Sequence, residues 1–145
     1  MGKYFDELKR SMDWLATKPD TFFLGQAVVD AGTGMTNTLK DVPIEKRLET
    51  PVFEDTQLGM SIGMSMNKTV PISIFPRLNF LVCASNQLVN HLDKLTLMSD
   101  FKTKVIIRSS IGSERPFDPY HQHKGNLTPG FKLLCPNIEF IVLNE

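Results

Sequence analysis

This chain lacks any excess of charge of one sign. Its 145 residues carry 16 Lys and Arg against 16 Asp and Glu, a formal net charge of zero. This balance argues against a nucleic-acid binder that works through a broad basic face. The absence of net repulsion favours self-association or a partner chain. Cysteine is scarce, with only Cys83 and Cys135. Two thiols build neither a disulfide framework nor, by themselves, a zinc site. Their apolar settings, LVCAS and LLCPN, predict buried free thiols. No apolar run approaches the roughly 18–20 residues that span a bilayer. The mixed-charge start MGKYFDELKRSMDW has no apolar centre of the signal-peptide kind. A cytoplasmic protein with neither membrane nor nucleic-acid partner is expected. The dinucleotide glycine fingerprint, the phosphate-binding glycine loop and the GxSxG elbow are missing too. His121 and His123 are two apart, too close for a paired-histidine metal helix, and no metal ligand set is expected from this chain. What is plentiful is apolar: 41% of residues are hydrophobic and 22% charged. That composition fills the core of one domain over residues 1–145 and disfavours disorder.

Periodicity divides the chain into alternating elements. Tyr4, Phe5, Leu8, Met12 and Leu15 recur at helical spacing and predict a helix over Lys3–Ala16, stopped by Lys18-Pro19-Asp20. TFFLG (residues 21–25) reads as a short buried strand. The glycine-bearing stretch after it reads as a helical turn or loop. A short helix at residues 43–47 has Asp41 as its expected cap and Pro43 in its first turn. LETPVFED then reads as a strand end and turn. Further helices are expected over residues 54–66 and 79–94, the latter with Phe80, Ala84, Leu88 and Leu92 on one side. Strands are expected at residues 70–75, 104–110 and 138–143. A polar loop, SIGSERPFDPYHQHKGNL, fills residues 110–127, and loops of that length are often functional. Strands alternating with helices predict an α/β fold, a three-layer α/β/α arrangement with a mostly parallel sheet. The chain stops directly after its last expected strand, so the domain reads as trimmed or completed by something else.

The segment ETPVFEDTQLGMSIGMSM (residues 49–66) carries the chemistry. Glu54 is followed by glycine at plus five and plus nine. It falls at a helix N-terminus just past a strand end, where α/β proteins place functional groups. A carboxylate there is also simply favourable to the helix dipole, and spacing alone does not separate the two readings.

This segment, with VPISIF behind it, resembles the pyrimidine-binding domain of thiamine-diphosphate enzymes, of the type in 2-oxoacid dehydrogenase E1 β subunits and the central domain of transketolase. The proline followed three residues on by Glu54, the glycine spacing, Asn86-Gln87-Leu88-Val89-Asn90, the arginine-ended strand KVIIRSS, the loop YHQHKG and the opening FFLGQAVVD match that family in order. The resemblance covers residues 21–143.

The resemblance implies roles. Glu54 takes the place of the glutamate that hydrogen-bonds N1′ of the cofactor's aminopyrimidine and favours its imino tautomer. A carboxyl group out of bulk water shares a proton with a weak ring base more readily than one in water. Phe80 would pack on the pyrimidine, with core packing as the plain alternative. Pro76 and Arg77 would line the same pocket, though the family often has aromatic residues or methionine there. His121 and His123 compete for the loop histidine that faces substrate, moving a proton or binding a substrate oxygen, and His123 fits slightly better. Gln26, Thr56 and Asn86 depart from the family's glutamate, glycine and aspartate. The chain has no Gly-Asp-Gly, the motif that holds the diphosphate through Mg²⁺ or Ca²⁺ in these enzymes. The implied cofactor, thiamine diphosphate with Mg²⁺ or Ca²⁺, would therefore be bound jointly with an α-like partner subunit carrying that motif, in a homo- or hetero-oligomer. The implied reaction is ketol transfer or 2-oxoacid decarboxylation. The alternatives are a non-catalytic binding or regulatory module of the same fold, or an unrelated function on an α/β superfold. The helix of residues 54–66, with Gly59, Gly63 and Met60, Met64 and Met66, is the expected partner-facing surface.

Overall fold

The computed structural model describes residues 2–112 and 118–143. Helix α1 (Lys3–Ala16) leads into β1 (Thr21–Gly25). A helical turn α2 (Gly34–Asn37) and a 3₁₀ turn (Ile44–Lys46) precede β2 (Arg47–Glu49). Helix α3 (Glu54–Met66) and β3 (Val70–Phe75) follow. Next come a 3₁₀ stretch (Leu78–Ala84), a π-helical stretch (Asn86–Leu92) and a turn of helix α4 (Leu95–Met98). Strand β4 (Ile106–Ser109), α5 (Tyr120–His123) and α6 (Thr128–Leu134) complete the described elements. The four strands lie in the order β2-β1-β3-β4, and every pair is parallel.

Parallel strands bury both faces, and the alternation in β3 shows how. Ile72 and Ile74 join Phe23, Met12, Val28, Leu39 and Val42 on the side covered by α1 and the loop after β1. Phe75 joins Leu58, Ile62, Leu81, Ala84, Leu88 and Phe131 on the side covered by α3, the 78–92 helical run and α6. The expected three-layer α/β/α architecture with a parallel sheet is what forms.

Each layer is tied down by polar groups. Lys46 donates to the carbonyl of Ala16, at 2.9 Å, at the end of α1 and to that of Lys18 in the turn that follows, where Thr21 Oγ1 also donates at 2.9 Å. Lys9 bridges Asp13 of its own helix, at 2.6 Å, and Asp41 in the loop before β2. On the other side Gln57, fully buried, donates to Ser73 Oγ at 3.1 Å and the Ile74 carbonyl at 3.0 Å. Buried Asp93 accepts from both the backbone and the side-chain amide of Asn137.

Several expectations are corrected. Asp41 does not cap the short helix: its carboxylate is drawn to Lys9, and Pro43 takes the N-cap place of a 3₁₀ turn. The helix expected over residues 79–94 is wound as 3₁₀ and then π, which rotates its faces. Leu81, not Phe80, joins Ala84, Leu88 and Leu92 in the core. The same winding leaves Cys83 exposed, while Cys135 is buried as expected. Residues 138–143 form no strand: Ile138 and Phe140 pack on the core, but Ile141 to Leu143 stay exposed and no described strand ladders with them. Part of the expected loop, residues 113–117, lies outside the described residues. The remainder contains α5, and α6 follows it, neither of which the periodicity indicated.

Gly25 ends β1 with φ of +139°, and a Cβ there would run into the Ile74 carbonyl and the Gln57 amide. Both the backbone angle and the space require glycine. Gly25→Ala is expected to destabilise the fold by about 3 kcal/mol, read as a lowered urea midpoint; an unchanged midpoint contradicts this packing. The Lys9 bridge gives a pH prediction. Hydrogen bonding to Lys9 holds the Asp41 carboxyl below its ordinary value of 3.8. Its contribution to stability is present above that value and is lost as pH falls through the lowered one. Lys9→Gln should therefore move the onset of acid unfolding to higher pH, followed by circular dichroism.

Candidate functional site

The four strands are parallel, so their carboxyl ends share one edge of the sheet. Every residue singled out in the sequence follows one of those ends. Gln26 follows β1, Glu54 follows β2, Pro76, Arg77 and Phe80 follow β3, and His121 and His123 follow β4. The chain leaves β1 toward β2 on one side and returns to β3 on the other. The crevice of the sheet thus opens between β1 and β3, where ligands of open α/β sheets bind.

Glu54 is the first residue of α3 and is buried, 8% exposed. The Gln26 amide donates to its Oε1 at 3.2 Å. The loop that carries Gln26 is itself held by Glu49 at the end of β2. One Glu49 oxygen accepts from Ala27 N at 2.6 Å, and the other from Val28 N at 2.7 Å, Val29 N at 2.6 Å and Asp30 N at 3.3 Å. Successive N–H groups pointing inward make an anion-binding nest, and here the anion is the chain's own carboxylate. Ala27 sits at φ +58°, a left-handed conformation that costs a non-glycine residue energy. The four charge-assisted contacts offset that cost. Sequence reasoning read Glu49 only as part of a strand end and Gln26 only as a departure. A carboxylate two residues before Pro51 and a short loop after a strand-ending glycine were the available signals.

A second group forms around His123. Asn79 Nδ2 lies 2.8 Å from His123 Nδ1, and the Phe80 ring meets the imidazole edge to face with centroids 5.3 Å apart. Phe80 is half-buried and outside the core cluster, so the core reading of this residue is corrected. Gly112 is pressed against the His123 carbonyl, Pro119 and the Arg77 guanidinium, leaving no room for a Cβ. Ser110 Oγ donates to the Pro76 carbonyl at 2.5 Å, which closes the turn after β3 against the turn after β4. His121, on the same short helix, is exposed. Glu54 with Gln26 and His123 with Phe80 and Asn79 are therefore two clusters on one edge, and among the described residues no hydrogen bond or ring contact joins them.

Two further features bear on the site. Gln87 donates to Asp55 at 3.3 Å and packs against Gly59, so Gly59 faces the chain's own helical run. Gly63 meets open space, and Met60 and Met66 are exposed. At the end of β4, Arg108 has a buried Nη1 with no hydrogen-bond partner among the described residues. Burial pushes its guanidinium down to about 10, partly opposed by Tyr4. Among the described residues, no three His, Cys, Asp or Glu side chains stand together as a metal site, and no helix is long and apolar enough to cross a membrane.

The nest yields a prediction. Glu49→Gln removes the charge and one acceptor oxygen, and should cost about 2 kcal/mol. Amide exchange at residues 27–30 should quicken selectively, and unchanged exchange there would sink the idea that Glu49 holds this loop.

No protein family's sequence profile matches the chain. Comparison with curated proteins finds relatives of one kind. The chain is 28% identical over 142 residues to a pyruvate dehydrogenase E1 component subunit beta from Gracilaria tenuistipitata var. liui, covering 90% of this chain and 44% of that protein. It is 33% identical over 79 residues to the subunit of the same name from Chaetosphaeridium globosum, covering 53% of this chain and 24% of that one. It is 27% identical over 142 residues to an acetoin:2,6-dichlorophenolindophenol oxidoreductase subunit beta from Cupriavidus necator, covering 84% and 41%. The chain spans less than half the length of the curated relatives it matches. The motif resemblance centred on Glu54 thus has a counterpart along most of the chain, which resembles the β subunits of E1-type dehydrogenases and the pyrimidine-binding domain they carry.

Proposed function

We propose that this chain is the pyrimidine-side component of a two-part thiamine-diphosphate enzyme of the E1 β type. The observation that carries the reading is Glu54: a carboxylate buried at the carboxyl edge of a parallel sheet, first in its helix, with one oxygen bonded by Gln26. Burial of a carboxylate with one neutral amide donor leaves capacity for a further partner on its other oxygen. A ring nitrogen of an aminopyrimidine is such a partner. Glu54 would hold or release the shared proton there, Gln26 would fix the carboxylate plane, and Phe80 would supply an apolar flank. When bound, the cofactor itself supplies the carbanion chemistry.

The residues present fit half of that cofactor. Glu54 and Gln26 suit the polar edge of a flat, weakly basic ring, and Phe80 of the neighbouring His123 cluster is assigned as its apolar flank. Nothing in the sequence suits a diphosphate, which needs a metal ion and backbone donors, and the chain has no Gly-Asp-Gly. We therefore assign the diphosphate, with Mg²⁺ or Ca²⁺, to an α-like partner subunit. The exposed side of α3 at Met60, Gly63 and Met66 is the surface assigned to it. The reaction would be 2-oxoacid decarboxylation or ketol transfer in a cytoplasmic hetero-oligomer.

In a complex reconstituted with such a partner, Glu54→Gln should lower kcat by about 10²–10⁴-fold while the complex still assembles. Full activity in that variant would overturn the role given to Glu54.

A further inference from the structure

The Asn79–His123 contact decides what the imidazole can do, and this inference rests on the reading just given only for its functional meaning. We infer that Asn79 is a positioning residue that holds neutral His123 in the tautomer protonated at Nε2, so that the ring offers a hydrogen-bond donor to substrate and not a base.

The argument is one of donors and acceptors. A neutral imidazole has one N–H and one bare nitrogen, and the partner of one nitrogen fixes the state of the other. In the observed orientation Asn79 Nδ2 donates to Nδ1 at 2.8 Å, so Nδ1 is bare and the proton sits on Nε2. The Asn79 Oδ1 atom is buried without a partner among the described residues. Turning the amide over would pair Oδ1 with an Nδ1–H but would place the two-donor amino group in the unpartnered position. Buried N–H groups left without acceptors are rarer than carbonyl oxygens left without donors, which favours the observed orientation. The Phe80 ring edge limits rotation of the imidazole.

The surroundings reinforce a donor role. Among the described residues, the charged groups of the flanking segments are Arg77, whose guanidinium lies against Gly112 beside the His123 carbonyl, and the pair of Lys124 with Asp118 at 3.1 Å. Neither cation accepts a proton from Nδ1, and the one carboxylate in that pair, Asp118, is engaged by Tyr120 N at 2.8 Å and by Lys124. Of the two roles open to a loop histidine, binding a substrate oxygen and abstracting a proton, the geometry selects the first. The ligand class is a carbonyl or carboxylate oxygen, reached through Nε2–H.

The test is long-range ¹H–¹⁵N correlation on the full chain, at a pH where the imidazoles are neutral. Exposed His121 serves as the internal reference for a ring free to choose its tautomer. His123 should show Nδ1 in the unprotonated range and Nε2 in the protonated range, and Asn79→Asp, which replaces the donor with an acceptor, should reverse the pattern. A wild-type His123 protonated at Nδ1, or one indistinguishable from His121, would overturn the inference. An unchanged circular-dichroism spectrum confirms that the variant is folded; should it not fold, the wild-type spectrum still decides. The readout needs neither cofactor nor partner, so it stands or falls apart from the Glu54 activity test.

Discussion

The Glu49 carboxylate in its nest of four backbone N–H groups is the interaction on which the candidate site depends. It joins the edge strand β2 to the loop after β1, across the sheet's carboxyl end. That loop could not hold a left-handed alanine and four inward-pointing N–H groups without an anion among them. By settling it, Glu49 presents Gln26 to Glu54, and Glu54 is placed in turn by the start of α3. The Gln57 amide fastens α3 to β3 one turn further on. Three residues from one short stretch, Glu49, Glu54 and Gln57, thus lock strand, loop and helix around one point. Gly25 makes the arrangement possible, because nothing larger passes between the Ile74 carbonyl and Gln57.

On the far side of the edge, the turn after β3 and the loop after β4 are joined by Ser110 to Pro76 and by Asn79 to His123. The chemistry on the two sides differs. Glu54 is a buried carboxylate with one neutral donor, suited to sharing a proton with a ring nitrogen. His123 is pinned by a neutral amide, suited to donating to oxygen. On the proposed reading, a ring-bearing cofactor meets Glu54 and an oxygen-bearing substrate meets His123. The absence of any Gly-Asp-Gly in the chain makes a diphosphate-holding partner part of the same account.

Much of this was legible in the sequence, for a physical reason. Period-two and helical patterns report burial, and burial in β1, β3, α1 and α3 is set by side chains in each segment. Those boundaries therefore agree with the residues read. The position of Glu54 followed from a strand end, a proline and a helix start. What was not legible depends on contacts between distant segments. Asp41 read as a cap but answers to Lys9, more than thirty residues earlier. Phe80 had core packing as its alternative to a cofactor contact, because a uniform helix would put it in line with Ala84, Leu88 and Leu92; 3₁₀ and π winding places it against His123 instead. Cys83 shared an apolar context with buried neighbours and still came out exposed. Residues 138–143 have strand composition, but a strand needs a ladder partner, and composition does not supply one.

The most direct test of the central claim is calorimetric titration of thiamine diphosphate with Mg²⁺ into three samples: this chain, an α-like partner carrying Gly-Asp-Gly, and their complex. The account predicts saturable binding by the complex that greatly exceeds binding by either chain alone. Equal binding by the complex and the partner alone would contradict it, since the pyrimidine-side residues would then contribute nothing.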